Sequence, residues 1–520
     1  MKRSISTELL VIGAGATGLG IAWDAGLRGV KTLVVDQYGL AQGTSGRYHG
    51  LLHSGGRYVV TDPPMAAACA QENRILRQIS PHPIEPTGGY FIQTPADPPD
   101  YVGAWCAAAD RISLPFAEVK AKEVLSKEPN LTVSIARAFE TRDASMDSFE
   151  LLHDLQYSIQ LAGGAVLLRT PVQALLREAD HVLGARVYSP EDQAVTTIGA
   201  QMVINAAGPW APSIAKMAGL DIPLALGRGT MVAMAARLVQ RVINRCRQPS
   251  DGDIIVPVGT VCVLGTTDLP VEEPEALTPQ PWEIDLLLAE AENLIPSIHA
   301  HRPLRVWCGV RPLLGEFDAS SATRHMTRAH AIIDHEQVDG VAGLVSVVGG
   351  KLTTFRLVAE ETMDLVSQKL SFSQGCLTAR TPLPTPSEPH FFQLPGRLSA
   401  LRPSEPIRHA PRILCECELV SREDILEAHR NAPISSLDDL RRDVRLGMGP
   451  CQGSFCTLRA ASALAEADFP RAALDIYESF AAERWRGIWP LAWGHGLRQI
   501  ELNRRIMLEI LCLHAPAERP

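Results

Sequence analysis

The chain has 520 residues, which exceeds one ordinary domain and suggests about three at ~100–200 residues each. Hydrophobic residues make up 46% and charged residues 21%, a balance that excludes a disordered chain and allows a sizeable buried core. A net charge of −9 excludes a general nucleic-acid binder, and no run of ~18 uncharged apolar residues is present to span a bilayer.

The opening Met-Lys-Arg-Ser-Ile-Ser-Thr has neither an apolar core nor a small-residue cleavage site, so secretion is not expected. Glu8–Val11 is predicted to be a strand, followed by a glycine turn and a helix, with a second strand at Lys31–Asp36. Helices are predicted around Met65–Ile79, Tyr101–Ile112 and Ser148–Gly163, the last leading into a strand at Ala165–Leu168. A strand at Met202–Asn205 ends in Ala-Ala-Gly-Pro-Trp. Strand candidates follow at Thr230–Ala235, Asp253–Val256 and Cys262–Gly265, with a helix at Pro281–Ile295. Val345–Val348 is a strand that runs through Gly-Gly-Lys-Leu-Thr-Thr into a helix ending near Leu370. Residues 380–411 hold many prolines and read as a linker. Short helices follow, including one over Leu497–Leu513.

The strand Leu9–Ile12 runs into Gly13-Ala14-Gly15-Ala16-Thr17-Gly18, a G-x-G-x-x-G placed between strand and helix. Gly13 permits the tight turn, Gly15 lets backbone approach a pyrophosphate, and Gly18 lets helix and strand close. The helix start offers unpaired N–H groups to phosphate. Asp36, eighteen residues after Gly18, ends the second strand where a carboxylate can take ribose hydroxyls. Three further features favour FAD over NAD. Thr44 and Ser45 sit in a small hydroxyl-bearing loop. The strand ending at Val172 is followed later by Ala207-Gly208-Pro209-Trp210. Gly350, Leu352 and Thr353 open a late helix whose N–H groups can face the flavin N1/O2 edge.

Of eleven cysteines, seven are scattered singly and four form two close pairs. Cys415-Glu416-Cys417 is separated by 33 residues from Cys451 and Cys456. C-x-C with C-x4-C departs from the C-x2-C pairs of zinc ribbons. It resembles the bacterioferritin-associated ferredoxin-like domain, in which four thiolates hold a 2Fe-2S cluster. A zinc site and unligated or disulfide-bonded thiols are the alternatives.

Beyond these motifs, the blocks Gly43–Tyr58, Val242–Arg247, Gly265-Thr266-Thr267, Gly309–Leu313 and Gly349–Thr353 resemble the FAD-dependent glycerol-3-phosphate dehydrogenases, especially the large catalytic subunits of the anaerobic, multi-subunit enzymes. The resemblance runs almost end to end. It implies oxidation of sn-glycerol 3-phosphate to dihydroxyacetone phosphate, with electrons passed through iron–sulfur centres to a quinone. It also implies two partners, a second soluble subunit plus a membrane-anchoring iron–sulfur subunit, with this chain cytoplasmic and held peripherally at the membrane's inner face by them. By the same resemblance, Arg57, Arg311, Arg328 and Lys351 bind the phosphate, and Thr267 hydrogen-bonds substrate. Arginine forks and a lysine suit a phosphate dianion, although an arginine singled out of a sequence is most often half of an ion pair.

The aerobic relatives carry a histidine where Met231 stands here, and a thioether cannot accept a proton. His53 and Tyr58 are then the candidates for proton transfer, with Arg311 polarising the departing oxygen. The rival readings are a flavin dehydrogenase or oxidase of a 2-hydroxy acid or amino acid, and an electron-transfer subunit without its own substrate site.

The expected fold is α/β: a Rossmann-like FAD domain of the D-amino-acid-oxidase/glutathione-reductase type interleaved with an antiparallel-sheet substrate domain. Residues 1–75, 145–215 and 340–372 form the first, 76–144 and 216–339 the second. A linker over 373–411 leads to a ferredoxin-like 2Fe-2S module over 412–465 and a helical tail over 466–520.

Overall fold

The structure, a computed structural model, describes residues 3–190, 193–315, 323, 326, 329–385, 412–431, 436–467 and 473–505. The first apolar run forms the strand Arg3–Ile12, longer than expected because Arg3–Thr7 also pairs with Thr196–Ala200. It sits inside an eight-stranded sheet in the order Val172–Glu178, His181–Ser189, Ala194–Asn205, Arg3–Ile12, Thr32–Val35, Ala165–Leu167. On the edge away from Arg3–Ile12, Ala194–Asn205 serves two partners: its start pairs with His181–Ser189, and its end runs parallel to Leu344–Gly349.

Helices Ala16–Leu27, Ser148–Leu161 and Phe355–Leu370 cover one face of this sheet, burying Leu19, Trp23, Leu151, Leu155 and Phe355. A Cβ on Gly20 would stand 2.8 Å from the Phe355 ring, so glycine there lets the first and last of these helices close. The opposite face is covered in part by Ala211–Lys216, through Ala211, Ile214 and Ala215.

The second sheet has nine strands and forms the roof of the site. Its order is Leu269–Val271, Leu224–Met234, Val261–Gly265, Ile254–Val258, Val242–Arg245, Gly89–Gln93, Arg137–Thr141, Phe116–Val119, with Pro303–Leu314 also on Leu224–Met234. All its pairs are antiparallel except Val242–Arg245 with Gly89–Gln93, which are parallel. Helix Pro281–Glu292 packs on it through Ile284, Leu287, Leu288 and Ala291, an i, i+3, i+4, i+7 stripe. At ~1.5–3 kcal/mol for each large aliphatic side chain buried, that stripe outweighs any helix propensity.

Three expected boundaries shift. His330–Asp334, assigned to the substrate domain within 216–339, is a strand of the flavin sheet, antiparallel to Leu344–Gly349. The expected linker begins later than 373, because Leu383 is buried and its N–H donates to Ile79 O at 2.6 Å. The division at 465 cuts through a single core, since Ile476, Tyr477 and Phe480 of helix Ala473–Ile488 pack with Ile425, Leu440 and Leu464.

The cysteine module thus comprises Ile413–Cys415, Val420–Ser421 and helices Arg422–Asn431, Leu437–Val444, Cys456–Ala465 and Ala473–Ile488. Ion pairs seat it on the body. Arg445 reaches Asp147 at 2.6 Å and Glu418 at 3.0 Å, and Arg169 reaches Asp439 at 2.5 Å. Asp147 also caps Ser148–Leu161 by accepting from Phe149 N. In the tail, Leu491 is buried whereas Trp489 is 62% exposed, so the segment both packs and presents aromatic surface. The expected Leu497–Leu513 helix is described as Gly494–Arg505, and its remainder lies outside the described residues.

Helix Pro63–Ile79 is tied to Phe355–Leu370 by Arg356, which donates to both oxygens of Glu72 at 2.8 and 2.6 Å with both side chains buried. Arg356→Met leaves the Glu72 carboxylate buried and unpaired and is expected to lower stability by ~3–5 kcal/mol. The double variant Glu72→Met/Arg356→Met is expected to recover most of that loss. Urea midpoints of the flavin-domain transition measure both.

Candidate active site

Parallel register brings the strand ends Ile12, Val35 and Asn205 to one edge of the flavin sheet. Gly13 turns there with φ +113°, its N–H donating to Val35 O at 2.8 Å. A Cβ on Gly13 would lie 2.4 Å from Ala206 O, and one on Gly18 would lie 1.9 Å from Gly13 O. A side chain at either position would force the backbone to shift. Gly15 caps helix Ala16–Leu27, and Ser45 Oγ receives the helix's Ala16 N–H at 3.0 Å. The Thr44 hydroxyl instead donates to Val310 O at 2.7 Å, binding the loop to the roof strand.

Asp36 accepts from Ala14 N and Tyr38 N, each at 2.7 Å. Burial nevertheless pushes its carboxyl up to about 6, against those two bonds. Gly349 and Gly350 both have positive φ, +78° and +80°, and turn the chain into Leu352–Thr354 at the head of Phe355–Leu370.

A cavity of about 820 Å³ is lined by Gly13, Gly15, Asp36, Thr44, Ser45, Val172, Ala207, Gly208, Gly350, Leu352 and Thr353. It continues without interruption to His53, Arg57, Tyr58, Arg311 and Lys351. These residues fit FAD. A glycine cradle with no room for Cβ lies at one end, a carboxylate stands at the second strand's tip, and a helix head opens beside the cationic end.

The three cations come from separate segments and are partly compensated. Arg57 lies 3.2 Å from Asp253 and donates to Ser250 O at 3.3 Å. Arg311 donates to Asp268 at 2.8 Å, to Thr267 O at 3.1 Å and to the Thr266 hydroxyl. Lys351 Nζ lies 4.2 Å from the Tyr58 ring centroid, a cation–π contact. Tyr58 lies 5.4 Å from the His53 ring and His53 5.9 Å from His49, centroid to centroid. Burial, then His49, Lys351 and Arg57, holds His53 well below the ordinary histidine range. Burial, then Arg311 and Arg57, takes His49 down to about 3. Both imidazoles are neutral at pH 7. Leu51 N donates to His49 Nδ1 at 3.1 Å, which puts the proton of the neutral ring on Nε2.

Thr267 requires correction. It is fully buried, its hydroxyl donating to Glu283 at 2.7 Å and accepting from Thr230 N at 2.9 Å, so it cannot face a substrate. Its neighbours Thr266 and Asp268 line the cavity instead. Arg328 lies outside the described residues. Met231 is buried and Arg228 pairs with Glu283 at 2.6 Å, so both serve the roof sheet rather than the cavity. His49 was missed: it stands four residues before His53 in the quoted block, with nothing in the sequence to show that both turn inward.

The four module cysteines converge as two hydrogen-bonded pairs, Cys415 with Cys456 and Cys417 with Cys451, close enough to feel one another's charge. Among the described residues no three ligating side chains close on a single metal position. Two pairs suit a cluster of two irons, each taking two thiolates, and do not suit one zinc held by four. These thiols fit a 2Fe-2S cluster.

Gly13→Ala is expected to yield folded protein with less than about a tenth of the normal flavin per chain, read from visible absorbance, with iron content kept. Because ribose hydroxyls need an acceptor and Asp36 protonates near 6, FAD affinity of the flavin-free protein is expected to fall as pH drops through about 6. Fluorescence quenching of added FAD measures it.

Comparison with known proteins agrees with this geometry. Residues 8–365 match the FAD dependent oxidoreductase family, and residues 413–466 match the BFD-like 2Fe-2S binding domain. A subunit of the anaerobic glycerol-3-phosphate dehydrogenase of Haemophilus influenzae is 36% identical over 98% of this chain and 94% of its own length. Its Escherichia coli counterpart is 37% identical over 97% and 96%. Among solved structures, a Bacillus halodurans glycerol-3-phosphate dehydrogenase complexed with FAD aligns with TM-score 0.59 at 22% identity, covering 98% of this chain and 97% of that one, a likeness of fold. The chain therefore belongs to the FAD dependent oxidoreductase family and, within it, to the family of these anaerobic glycerol-3-phosphate dehydrogenase subunits.

Proposed function

We propose that this chain oxidises sn-glycerol 3-phosphate to dihydroxyacetone phosphate and passes the electrons through its own 2Fe-2S cluster toward a quinone. The observation that carries this reading is a single cavity shared by the flavin cradle and by Arg57, Arg311 and Lys351. A phosphate dianion offers more lone pairs than a carboxylate, and two guanidinium forks with one ammonium match it.

Bound FAD supplies the hydride acceptor. The protein's residues hold the phosphate so that the secondary carbon is fixed in place, a contribution to rate that comes from orientation. His53, kept neutral by burial and by the surrounding cations, is able to take the hydroxyl proton. A bound dianion offsets those cations and raises the basicity of His53 at the moment it is needed. Tyr58 supports this arrangement by lying between Lys351 and His53. Arg311 donates to the substrate oxygen as negative charge develops on it.

No helix among the described residues is long and apolar enough to cross a membrane. The similar proteins are named as subunits, which supports assembly with other chains; the proposed assembly has two partners, a second soluble subunit plus a membrane-anchoring iron–sulfur subunit. In that arrangement the chain sits peripherally at the cytoplasmic face of the membrane.

Glycerol 3-phosphate added to the purified protein without oxygen is expected to bleach the flavin, and 2-hydroxyglutarate is expected not to. Arg311→Met is expected to keep its flavin and to lose on the order of 30–5000-fold in kcat/KM for this reduction, about 2–5 kcal/mol, the range for truncating one partner of a hydrogen-bonded charge pair. Bleaching by 2-hydroxyglutarate alone would overturn the substrate assignment and leave the flavin assignment standing.

A further inference from the structure

Helix Ala473–Ile488 carries Arg484, a buried guanidinium that meets the loop bearing Cys451. It lies 5.9 Å from the Phe480 ring centroid, and its Nη2 donates to Gln452 Oε1. Gln452, next to Cys451, fastens the loop by donating to Met448 O at 3.2 Å and Gly449 O at 3.0 Å. Phe480 packs against the same loop, so closely that a Cβ on Gly447 or Gly453 would stand 3.2 Å from its ring. Arg484 therefore grips the loop one residue from a cluster ligand.

This cation is undercompensated. Its Nε has no hydrogen-bond acceptor, and its one side-chain acceptor is a neutral amide. The two carboxylates near enough to act on it have other partners: Asp438 holds Arg441 and Arg442, and Glu483 holds Arg305 and Arg486. Arg305 adds a like charge and donates to Arg484 O at 3.2 Å. A buried charge left in this state costs several kcal/mol unless a counter-charge completes it. The group that belongs beside Gln452 is a cluster bound by four thiolates, which is anionic in both oxidation states.

We propose that Arg484 is a positioning residue for the cluster: it fixes the Cys451 loop through Gln452, and its positive charge favours the cluster's reduced state. Reduction turns one ferric iron ferrous with a single electron from the reduced flavin and adds one negative charge. A fixed neighbouring cation stabilises that product more than the oxidised form. The cluster becomes the better acceptor.

The test is a mediated potentiometric titration of the full-length protein with a chemical reductant, reading the reduced cluster by electron paramagnetic resonance. Iron and acid-labile sulfide are measured on the same samples. The reading rests on the cluster and not on the substrate, so it survives if glycerol 3-phosphate fails to reduce the flavin. Arg484→Met is expected to shift the reduction equilibrium about tenfold toward the oxidised form, a fall of about 59 mV for one electron. Arg484→Lys, which keeps the charge, is expected to restore most of it. Glu483→Gln, which removes a nearby negative charge, is expected to raise the potential. Should Arg484→Met fail to hold the cluster, the Glu483→Gln shift decides: a rise supports the proposal, and an unchanged potential overturns it. A full cluster at the normal potential in Arg484→Met overturns it directly, as does wild-type protein prepared without oxygen that contains no iron.

Discussion

The site depends on one register. Ile12 stands opposite Asn205 and Val35, Val35 opposite Leu167, and Asn205 opposite Ser346, all in parallel pairs. Because these strands run the same way and end together, their carboxyl ends open a crevice at one sheet edge, where α/β folds bind ligands. The glycine turn, the Asp36 carboxylate, the Ala206–Gly208 turn and the Gly349–Gly350 turn each follow one of those strands. A one-residue slip would reverse the facing of every side chain in the moved strand and put a residue with a Cβ where Gly13 lies against Ala206, a place with no space for one.

The other end of the cavity meets an opposite demand. A dianionic substrate needs cations, but cations waiting in a half-buried cavity are costly before it arrives. Pairing Arg57 with Asp253 and Arg311 with Asp268 settles that conflict. Each carboxylate lowers the cost of desolvation and fixes a guanidinium fork in direction. Burial and the same cations hold His49 and His53 below the ordinary histidine range, which in the proposed reaction keeps a neutral proton acceptor beside the phosphate site.

What could be read in advance follows from the range of each interaction. The Gly13–Gly18 turn is local: six consecutive residues between an apolar strand and a helix specify its geometry, and the sequence shows them all. The cysteine spacing was legible too, since Cys415 and Cys417 and then Cys451 and Cys456 stand close in sequence, but bringing Cys415 to Cys456 and Cys417 to Cys451 is the work of the fold. His330–Asp334 was misassigned because a short strand gains its sheet from a distant partner, Leu344–Gly349, and carries no mark of which sheet that is. Thr267 failed differently. The motif reaches the cavity through Thr266 and Asp268, but whether residue 266, 267 or 268 faces it depends on the path of the chain beyond the roof strand. The buried Glu283 that captures the Thr267 hydroxyl comes from a helix outside the motif.

The same distinction bears on how the cysteine module works. A proline-rich tether alone would hold the cluster near the flavin at an effective concentration in the millimolar range and at no fixed distance. Electron transfer between buried centres needs a fixed one. Surface ion pairs taken singly contribute little, yet those at this seam are half-buried and share their anchors with the flavin site. Arg169, which pairs with Asp439, donates its backbone N–H to Tyr38 O just beyond Asp36. Asp147, which receives Arg445, caps the helix packed under the flavin sheet. Arg305, which donates to the backbone at Arg484, stands on the strand whose Val310 O receives Thr44. Each of these three contacts is made from an element that also shapes the flavin cavity. The distance between the two redox centres is therefore set by the same elements that build the site itself.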